Sequence, residues 1–596
     1  MTRRSFLGAG LALAAAALPQ GRALAAATAG ATPARVRPGG AGWPAAGDWD
    51  ALKTAVGGRL SPIAPPDVAD PSLRKELGNP FYIGDQPGLT QSTGWLDAWR
   101  STPGAYVVAA ESAADVAAAI RFARAHNLRL VVRGGAHSYL GCSNAPDSLV
   151  IWTRRMRRVE VQEAFTPKGV RTPAVPAVTL GAGCIWLDAY KAVTTGAGRY
   201  VQGGGCTTVG CAGLVQGGGF GSHSKGYGTA AASLLEAEVV TADGRVRLVN
   251  AASEPELFWA LKGGGGGTFG VITKLTLATH ELPENFGGFR LTIQAKSDEA
   301  YRRLLARFLD HYRTNLHNPH WGEQVQTGAS NRLSVEMVFQ GISPEQARAA
   351  WAPLTAWCDE RPGDYEGQKA MIAIGIPARH FWDAPFLRSK GPPGIIRTDD
   401  RPGASPDNFW WSGDGEQVGA WWHAYASIWL PDALLQPANQ QTFADAWFAA
   451  TRQHSVSFHF NKGLSGGDPA GLARSRDTAT NPQVLDAFAL AIIASAGPPV
   501  WPGSNAPSPS PNPLVAKIGK AKVDAAMAVL RAAAPGAGAY VNECDFFQPD
   551  WQRAFWGGHY PRLLAAKRRY DPSGLFTVHH GVGSEAWSED GFSRRA

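Results

Sequence analysis

Charge is scarce in this chain: Asp, Glu, Lys and Arg together make up 18% of its 596 residues. With 44% of residues hydrophobic, that balance excludes a disordered chain and supplies material for large cores. No basic run interleaved with aromatics occurs, so the net charge of +8 does not describe a nucleic-acid surface. Cysteine is rare too. Cys142, Cys184, Cys206, Cys211, Cys358 and Cys544 show no C-x-x-C spacing, which argues against zinc, iron–sulfur and disulfide-framework proteins. No metal site is expected. Long apolar runs are missing as well: the longest, Leu7 to Leu18, falls short of the ~20 residues a membrane span needs. A stable membrane anchor is therefore not expected.

That short run has a specific setting. Arg3-Arg4 precedes it and Ala23-Leu24-Ala25 follows, the pattern of a twin-arginine signal peptide with a small-x-small cleavage site. Residues 1–25 are read as an export signal to the periplasm or the medium, on a route that carries folded proteins with cofactors loaded. Residues 26–98 read as an N-terminal extension rich in Ala, Gly and Pro. At this length more than one domain is expected. From Tyr106 the texture becomes strand, then a helix from Ala113 to Asn127 capped by Ser112, with Val116, Ala119, Ile120 and Ala123 at helical spacing, then the strand Leu130–Arg133, then Gly134-Gly135. Asp243-Gly244 marks a hairpin turn. Beyond Leu282 glycine thins and tryptophan accumulates, which places a second domain over residues 282–535, with a surface loop from Ala496 to Pro513. Residues 536–596 again carry tight, motif-like spacing.

Three glycine-bearing segments carry the chemistry. In Arg133-Gly134-Gly135-Ala136-His137-Ser138 a strand runs into a turn whose bare amides suit a diphosphate. Gly203 to Cys206-Thr207-Thr208-Val209-Gly210, with Gly218, Gly219, Gly221, Tyr227 and Gly228 beyond, sets a cysteine in backbone thin enough to lie against a planar ligand. The third, Leu257 to Gly270, formally contains G-x-G-x-x-G at Gly265, Gly267 and Gly270. It follows a helix-like segment and lacks an acidic residue about 20 positions on, so it is not a dinucleotide fingerprint. Each segment alone also fits a bland reading: an exposed loop histidine, or a flexible linker.

Their order is what resembles a family. R-G-G-x-H-S, C-T-x-V-G, Glu256-Leu257-Phe258-Trp259 with its glycine run, and Tyr540-x-Asn542 to Tyr570-Asp571-Pro572 together are similar to the berberine bridge enzyme family. The resemblance covers residues 99–281 and 536–590. It implies an α+β chain with a vanillyl-alcohol-oxidase-type FAD-binding domain over residues 99–281. That domain would comprise two α/β subdomains, joined by the returning segment 536–596. An antiparallel-sheet substrate domain with flanking helices would lie between. It implies FAD bonded covalently to His137 and Cys206, within a wider binding set of Arg133, Gly134, Gly135, Ala136, Ser138, Thr207, Val209, Gly210, Gly218, Gly219, Gly221, Tyr227, Gly228, Val240, Tyr540 and Asn542.

The implied activity is oxidation of a hydroxyl-bearing small molecule, a sugar or an aromatic alcohol, with O2 as acceptor; Val209 stands where relatives control oxygen access. Electron transfer to another acceptor, or a flavoprotein whose catalysis has lapsed, are the alternatives. Relatives often keep a tyrosine base where this chain has Glu543. A partly desolvated carboxylate there can accept a proton, so Glu543 and Tyr540 are the catalytic candidates. Aromatic segments at 409–414, 421–423 and 457–462 are expected to line the pocket, with three or four tryptophans facing a ligand. His579 and His580 are expected behind the site. The oligomeric state stays open.

Overall fold

The computed structural model describes residues 34–64, 67–68, 70–501 and 511–595. The expected export signal and part of the 496–513 loop lie outside these residues. Three sheets organise the chain. In the first, the strands Tyr106–Ala109, Leu149–Trp152 and Leu130–Arg133 run parallel, and Leu60–Pro62 joins antiparallel at one edge. The connecting helix, Ala113–Ala125, starts where expected. Ser112 Oγ accepts from the Asp115 amide (3.2 Å) and Asp115 Oδ2 accepts from the Ser112 amide (3.1 Å), a reciprocal cap. Its apolar stripe, Val116, Ala119, Ile120 and Ala123, is fully buried. It stops two residues early because Asn127 takes a left-handed conformation (φ 49°).

The second sheet departs from the expected α/β subdomain. Its five strands, ordered Val246–Asn250, Leu234–Val240, Val271–Ala278, Val175–Gly181 and Val159–Phe165, are antiparallel throughout. The short hairpin loop at Asp243-Gly244 enforces antiparallel pairing of the strands it joins, because a parallel pair needs a long crossover.

The third sheet is the largest, with ten strands. Asn285–Ala295 pairs Arg332–Gln340 on one side and Ile372–Pro377 on the other, and the order continues through Trp321–Thr327, Val456–His459, Ala487–Gly497 and Trp421–Pro431. Helices Asp298–His311, Pro344–Asp359, Pro437–Gln453 and Pro513–Ala533 share a core with this sheet built on Phe289, Leu291, Trp351, Trp447 and Phe458. The opposite face looks toward the first two sheets.

The N-terminal extension is no loose lead-in. Trp49 and Leu52 pack in the core of the Ala113–Ala125 helix, and Gly94–Trp95 adds a parallel strand beside Trp421–Trp422 in the largest sheet. The C-terminal segment locks onto the first two sheets. Lys567 Nζ is buried and donates to Thr268 O (2.7 Å), Phe576 O (2.5 Å) and Asp571 Oδ2 (2.6 Å). Among the described residues no helix is long and apolar enough to cross a membrane.

Candidate functional site

Between the largest sheet and the first two sheets lies a cavity of about 900 Å³. Its geometry starts at the crossing of two glycine turns. A Cβ on Gly135 would stand 2.7 Å from the Gly210 amide nitrogen and 3.0 Å from Thr208 O, so only glycine lets the 134–138 turn lie against 208–210. That contact brings His137 Nε2 to 3.1 Å from Thr208 Oγ1. Burial pushes the His137 imidazole down to about 4, so the ring is neutral, with a free lone pair, at physiological pH.

Cys206 lies in the same wall. Burial, then the adjacent Asp414, push its thiol well above the usual range, and the thiol hydrogen-bonds the Asp414 carboxylate. Burial raises Asp414 itself to about 6, and its Oδ2 is buried without a partner.

Opposite stand Glu543 and Lys462. Lys462 Nζ donates to Glu543 Oε2 at 2.5 Å, with side chains 13% and 19% exposed. Glu543 is thus a largely buried carboxylate held as one half of an ion pair. Its main-chain carbonyl accepts from Ser427 Oγ (2.5 Å). Tyr139 and Tyr425 close the group, their rings 5.1 Å apart. Burial first and the Glu543 charge second hold both phenols well above their usual range, so both stay protonated, and the Tyr139 hydroxyl donates to Gln417 Oε1 (2.8 Å). Tyr540 is raised by the same two causes, and its hydroxyl accepts from Asn542 Nδ2 (2.9 Å). Glu323, bonded by Ser222 Oγ, is raised by burial and by Glu543.

Of the expected binding residues, Gly134, Gly135, Ala136, His137, Ser138, Cys206, Val209, Gly210, Tyr540 and Asn542 line the cavity, as does Glu543. The others do different work. Arg133 turns away and donates from Nη2 to the carbonyls of Gln86 (2.7 Å) and Leu89, bracing the N-terminal segment rather than a phosphate. Thr207 bonds Phe409 O (2.7 Å). Gly218, Gly219, Gly221 and Gly228 are close-packing positions against Thr480, Ala230, Gly203 and Gly471. Tyr227 reaches Gln340 Oε1 (3.3 Å), and Val240 sits in the core under the first sheet. Trp411, Asp414, His459, Asn461 and Lys462 line the cavity, but Trp421, Trp422 and His423 do not. Trp422 Nε1 bonds Ser92 Oγ (2.9 Å) and His423 Nδ1 pairs Ser495 Oγ (3.0 Å). Of the ten tryptophans between 321 and 447, Trp411 alone faces the cavity; the rest are core or core-packed.

Sequence reasoning missed Asp414 as the partner of Cys206 and Lys462 as that of Glu543; nothing local signals either pairing. It also set aside Gly265, Gly266 and Gly267, which form cavity wall, and placed His579 and His580 behind the site when both line it. His579 stacks on Phe546 (3.7 Å) and His580 on Trp551 (5.2 Å).

The cavity suits a flat cofactor with polar edges. A Cβ on Gly213 would meet nothing within 4 Å, and those on Gly134, Gly205 and Gly266 nothing nearer than 3.8 Å, so these glycines keep a thin slot open. Facing it are buried polar atoms without protein partners: Gln216 Oε1, Asn461 Oδ1, Asp414 Oδ2 and His580 Nδ1. Among the described residues no group of His, Cys, Asp and Glu could hold a metal ion.

Comparison with known proteins agrees with this geometry. Residues 103–250 match a family model described as an FAD binding domain, and residues 539–583 match one described as berberine and berberine-like. An FAD-linked oxidoreductase of Aspergillus flavipes is 30% identical over 505 residues, covering 81% of this chain and 76% of the relative. A VAO-type flavoprotein from Myceliophthora thermophila superposes with a TM-score of 0.75 at 26% identity, over 93% of this chain and 98% of its own. A glucooligosaccharide oxidase from Acremonium strictum, which carries a 6-S-cysteinyl, 8α-N1-histidyl FAD, shares the fold at TM-score 0.64 and 18% identity, over 89% and 99% of the two chains. The chain therefore belongs to the berberine bridge enzyme-like FAD-linked oxidoreductases, with a vanillyl-alcohol-oxidase-type fold.

Proposed function

We propose that the chain is an exported alcohol oxidase whose FAD is bonded to His137 and Cys206. The observation that carries the reading is the meeting, in one cavity, of those two nucleophiles with the Glu543–Lys462 pair and two protonated tyrosines. When bound, FAD supplies two-electron oxidation of the substrate carbon and delivery of the electrons to O2, giving hydrogen peroxide. The protein's residues supply everything else. His137, neutral through burial, offers a ring nitrogen for the histidyl bond. Asp414 beside the Cys206 thiol is placed to take its proton as the cysteinyl bond forms.

Tyr425 donates the hydrogen bond that orients the substrate oxygen, and Tyr139, whose hydroxyl is committed to Gln417 Oε1, packs beside it. Glu543 accepts the hydroxyl proton: Lys462 occupies Oε2, and Oε1 has no protein hydrogen bond among the described residues. Lys462 holds the carboxylate in place and keeps its charge balanced before the proton arrives. Val209 in the cavity wall supports O2 as acceptor, as the small residue expected of oxidases. The Arg3-Arg4 motif supports export, and a mature N-terminus upstream of Ala23 would refute it.

The bonds and the acceptor are tested together. Wild-type protein precipitated in acid should keep its yellow colour, and the His137→Ala and Cys206→Ala variants should each keep one bond. With an alcohol substrate in air, hydrogen peroxide should form in step with substrate loss. Colour that washes off the wild type refutes the covalent attachment. Slow reoxidation in air with fast turnover on a quinone would favour the dehydrogenase alternative instead.

A further inference from the structure

The cavity has two chemically distinct ends. At one end stand Glu543, Lys462, Glu323 and Asn461; at the other, the strands of the largest sheet present an apolar face. In Ile372–Pro377 successive side chains alternate sides, so Ile372, Ile374 and Ile376 share the cavity face while Ala373 is buried on the helix side. Ile372 and Ile374 are 49% and 41% exposed. Register places Ile374 directly opposite Gly288, and Gly288 directly opposite Val338.

Gly288 is the telling residue. It interrupts an eleven-residue strand, where glycine weakens pairing, and its φ lies outside the left-handed region, so no backbone constraint calls for it. A Cβ there would meet nothing within 4 Å. The missing side chain leaves a gap in the sheet face, walled by Ile374 and Val338. Pro392, Pro393 and Ile395 line the same cavity. One row outward, Arg290 and Glu336 pair at 3.4 Å, with side chains 72% and 48% exposed. Over Gly288 itself a sugar hydroxyl would meet only the Ile374 and Val338 side chains and lose water without replacement, whereas an apolar ring would lose nothing.

We infer that the gap at Gly288 is a subsite for the aryl part of the substrate, and that it selects aryl-bearing alcohols over oligosaccharides. The inference rests on the alcohol-oxidase reading and deepens it. Gly288, Ile374, Val338, Glu543 and Lys462 line one cavity, and in the inferred placement the hydroxyl lies at the ion pair and the ring between Ile374 and Val338.

The test is anaerobic titration of the flavin-loaded enzyme with benzyl alcohol, 4-phenylbenzyl alcohol and cellobiose. Binding is read from perturbation of the flavin absorption bands and reduction from their bleaching. The biphenyl alcohol should bind about tenfold or more tightly than benzyl alcohol, the scale expected for filling an apolar subsite, and cellobiose should leave the bands unmoved. Gly288→Leu fills the gap, and Ile374→Asp puts a charge at its exposed wall; each should bring that ratio to within about twofold of unity. Tighter binding of cellobiose, or a ratio unchanged in both variants, overturns the subsite. So does an Ile374→Asp variant that splits a dimer yet keeps the ratio, because the strip would then be an interface between copies. Perturbation with the expected ratio but no bleaching supports the subsite and refutes the oxidase reading on which it was placed.

Discussion

Replacing Glu543 by glutamine keeps the size and one hydrogen bond to Lys462 but removes the proton acceptor. Proton abstraction by a positioned side chain contributes about 10²–10⁴ in rate. With Lys462 Nζ already at 2.5 Å and the pair 13% and 19% exposed, the acceptor is held firmly, so a loss in the middle of that range is expected. A fall of about 10³ in kcat/KM corresponds to about 4 kcal/mol of transition-state stabilisation. Lys462→Met leaves the carboxylate but removes its anchor, and a close charge pair of this kind couples by about 1.5 kcal/mol or more. It should cost about tenfold or somewhat more.

The two changes should not add. If Lys462 acts through Glu543, then Lys462→Met in the Glu543→Gln background costs less than about threefold. The assay is stopped-flow bleaching of the flavin under anaerobic conditions, which isolates substrate oxidation from reoxidation. A Glu543→Gln rate within tenfold of the wild type refutes Glu543 as the acceptor and turns attention to Tyr139 and Tyr425. Strictly additive losses would instead mean that Lys462 contacts the substrate independently.

Two further outcomes follow from the His137–Cys206 side of the cavity. Burial raises the Asp414 carboxyl from 3.8 to about 6, so the folded chain keeps a proton that the unfolded chain has lost between those values. Stability from this group therefore falls as pH rises through that window, by at most about 3 kcal/mol. Asp414→Asn should match the wild type in thermal melting near pH 4 and exceed it near pH 7. A difference that does not change with pH refutes the assignment. Gly135→Ala forces a Cβ to 2.7 Å from the Gly210 amide, and overpacking of this kind costs about 1–3 kcal/mol. The melting temperature should fall, and the fraction of flavin surviving acid precipitation in the Cys206→Ala background, where His137 alone holds it, should fall with it. A variant that melts lower yet keeps full attachment would show that the crossing stabilises the fold without positioning His137.

What could be read from the sequence was what neighbours along the chain decide. The Ser112–Asp115 cap, the apolar stripe from Val116 to Ala123 and the Asp243-Gly244 turn are local, and the structure holds each of them. The Gly134-Gly135 turn and the Cys206 segment were legible for the same reason, since a glycine-rich turn advertises a close approach even when its partner is unknown. The error about Arg133 comes from the opposite situation. An arginine beside a glycine turn suggests an anion, but carbonyls from residues 86 and 89, more than 40 positions away, had already claimed it.

The tryptophans taught the same lesson in bulk: their number signalled a large aromatic core, which is where nearly all of them went, and said little about the pocket. The chemistry of the site is the least local feature of all. Glu543 looked anomalous because a tyrosine was expected at its position, and alone it suggested either an unusual base or a lapsed enzyme. Its meaning changes once Lys462, 81 positions earlier, is found at 2.5 Å. A carboxylate replacing a phenol brings a negative charge into a cavity that already holds Glu323 and Asp414, and the cation beside it offsets that charge. The position of Glu543 is thus best understood together with Lys462, as half of an ion pair. Loss of function would have required no compensating lysine, so the pair favours a working base over a lapsed one.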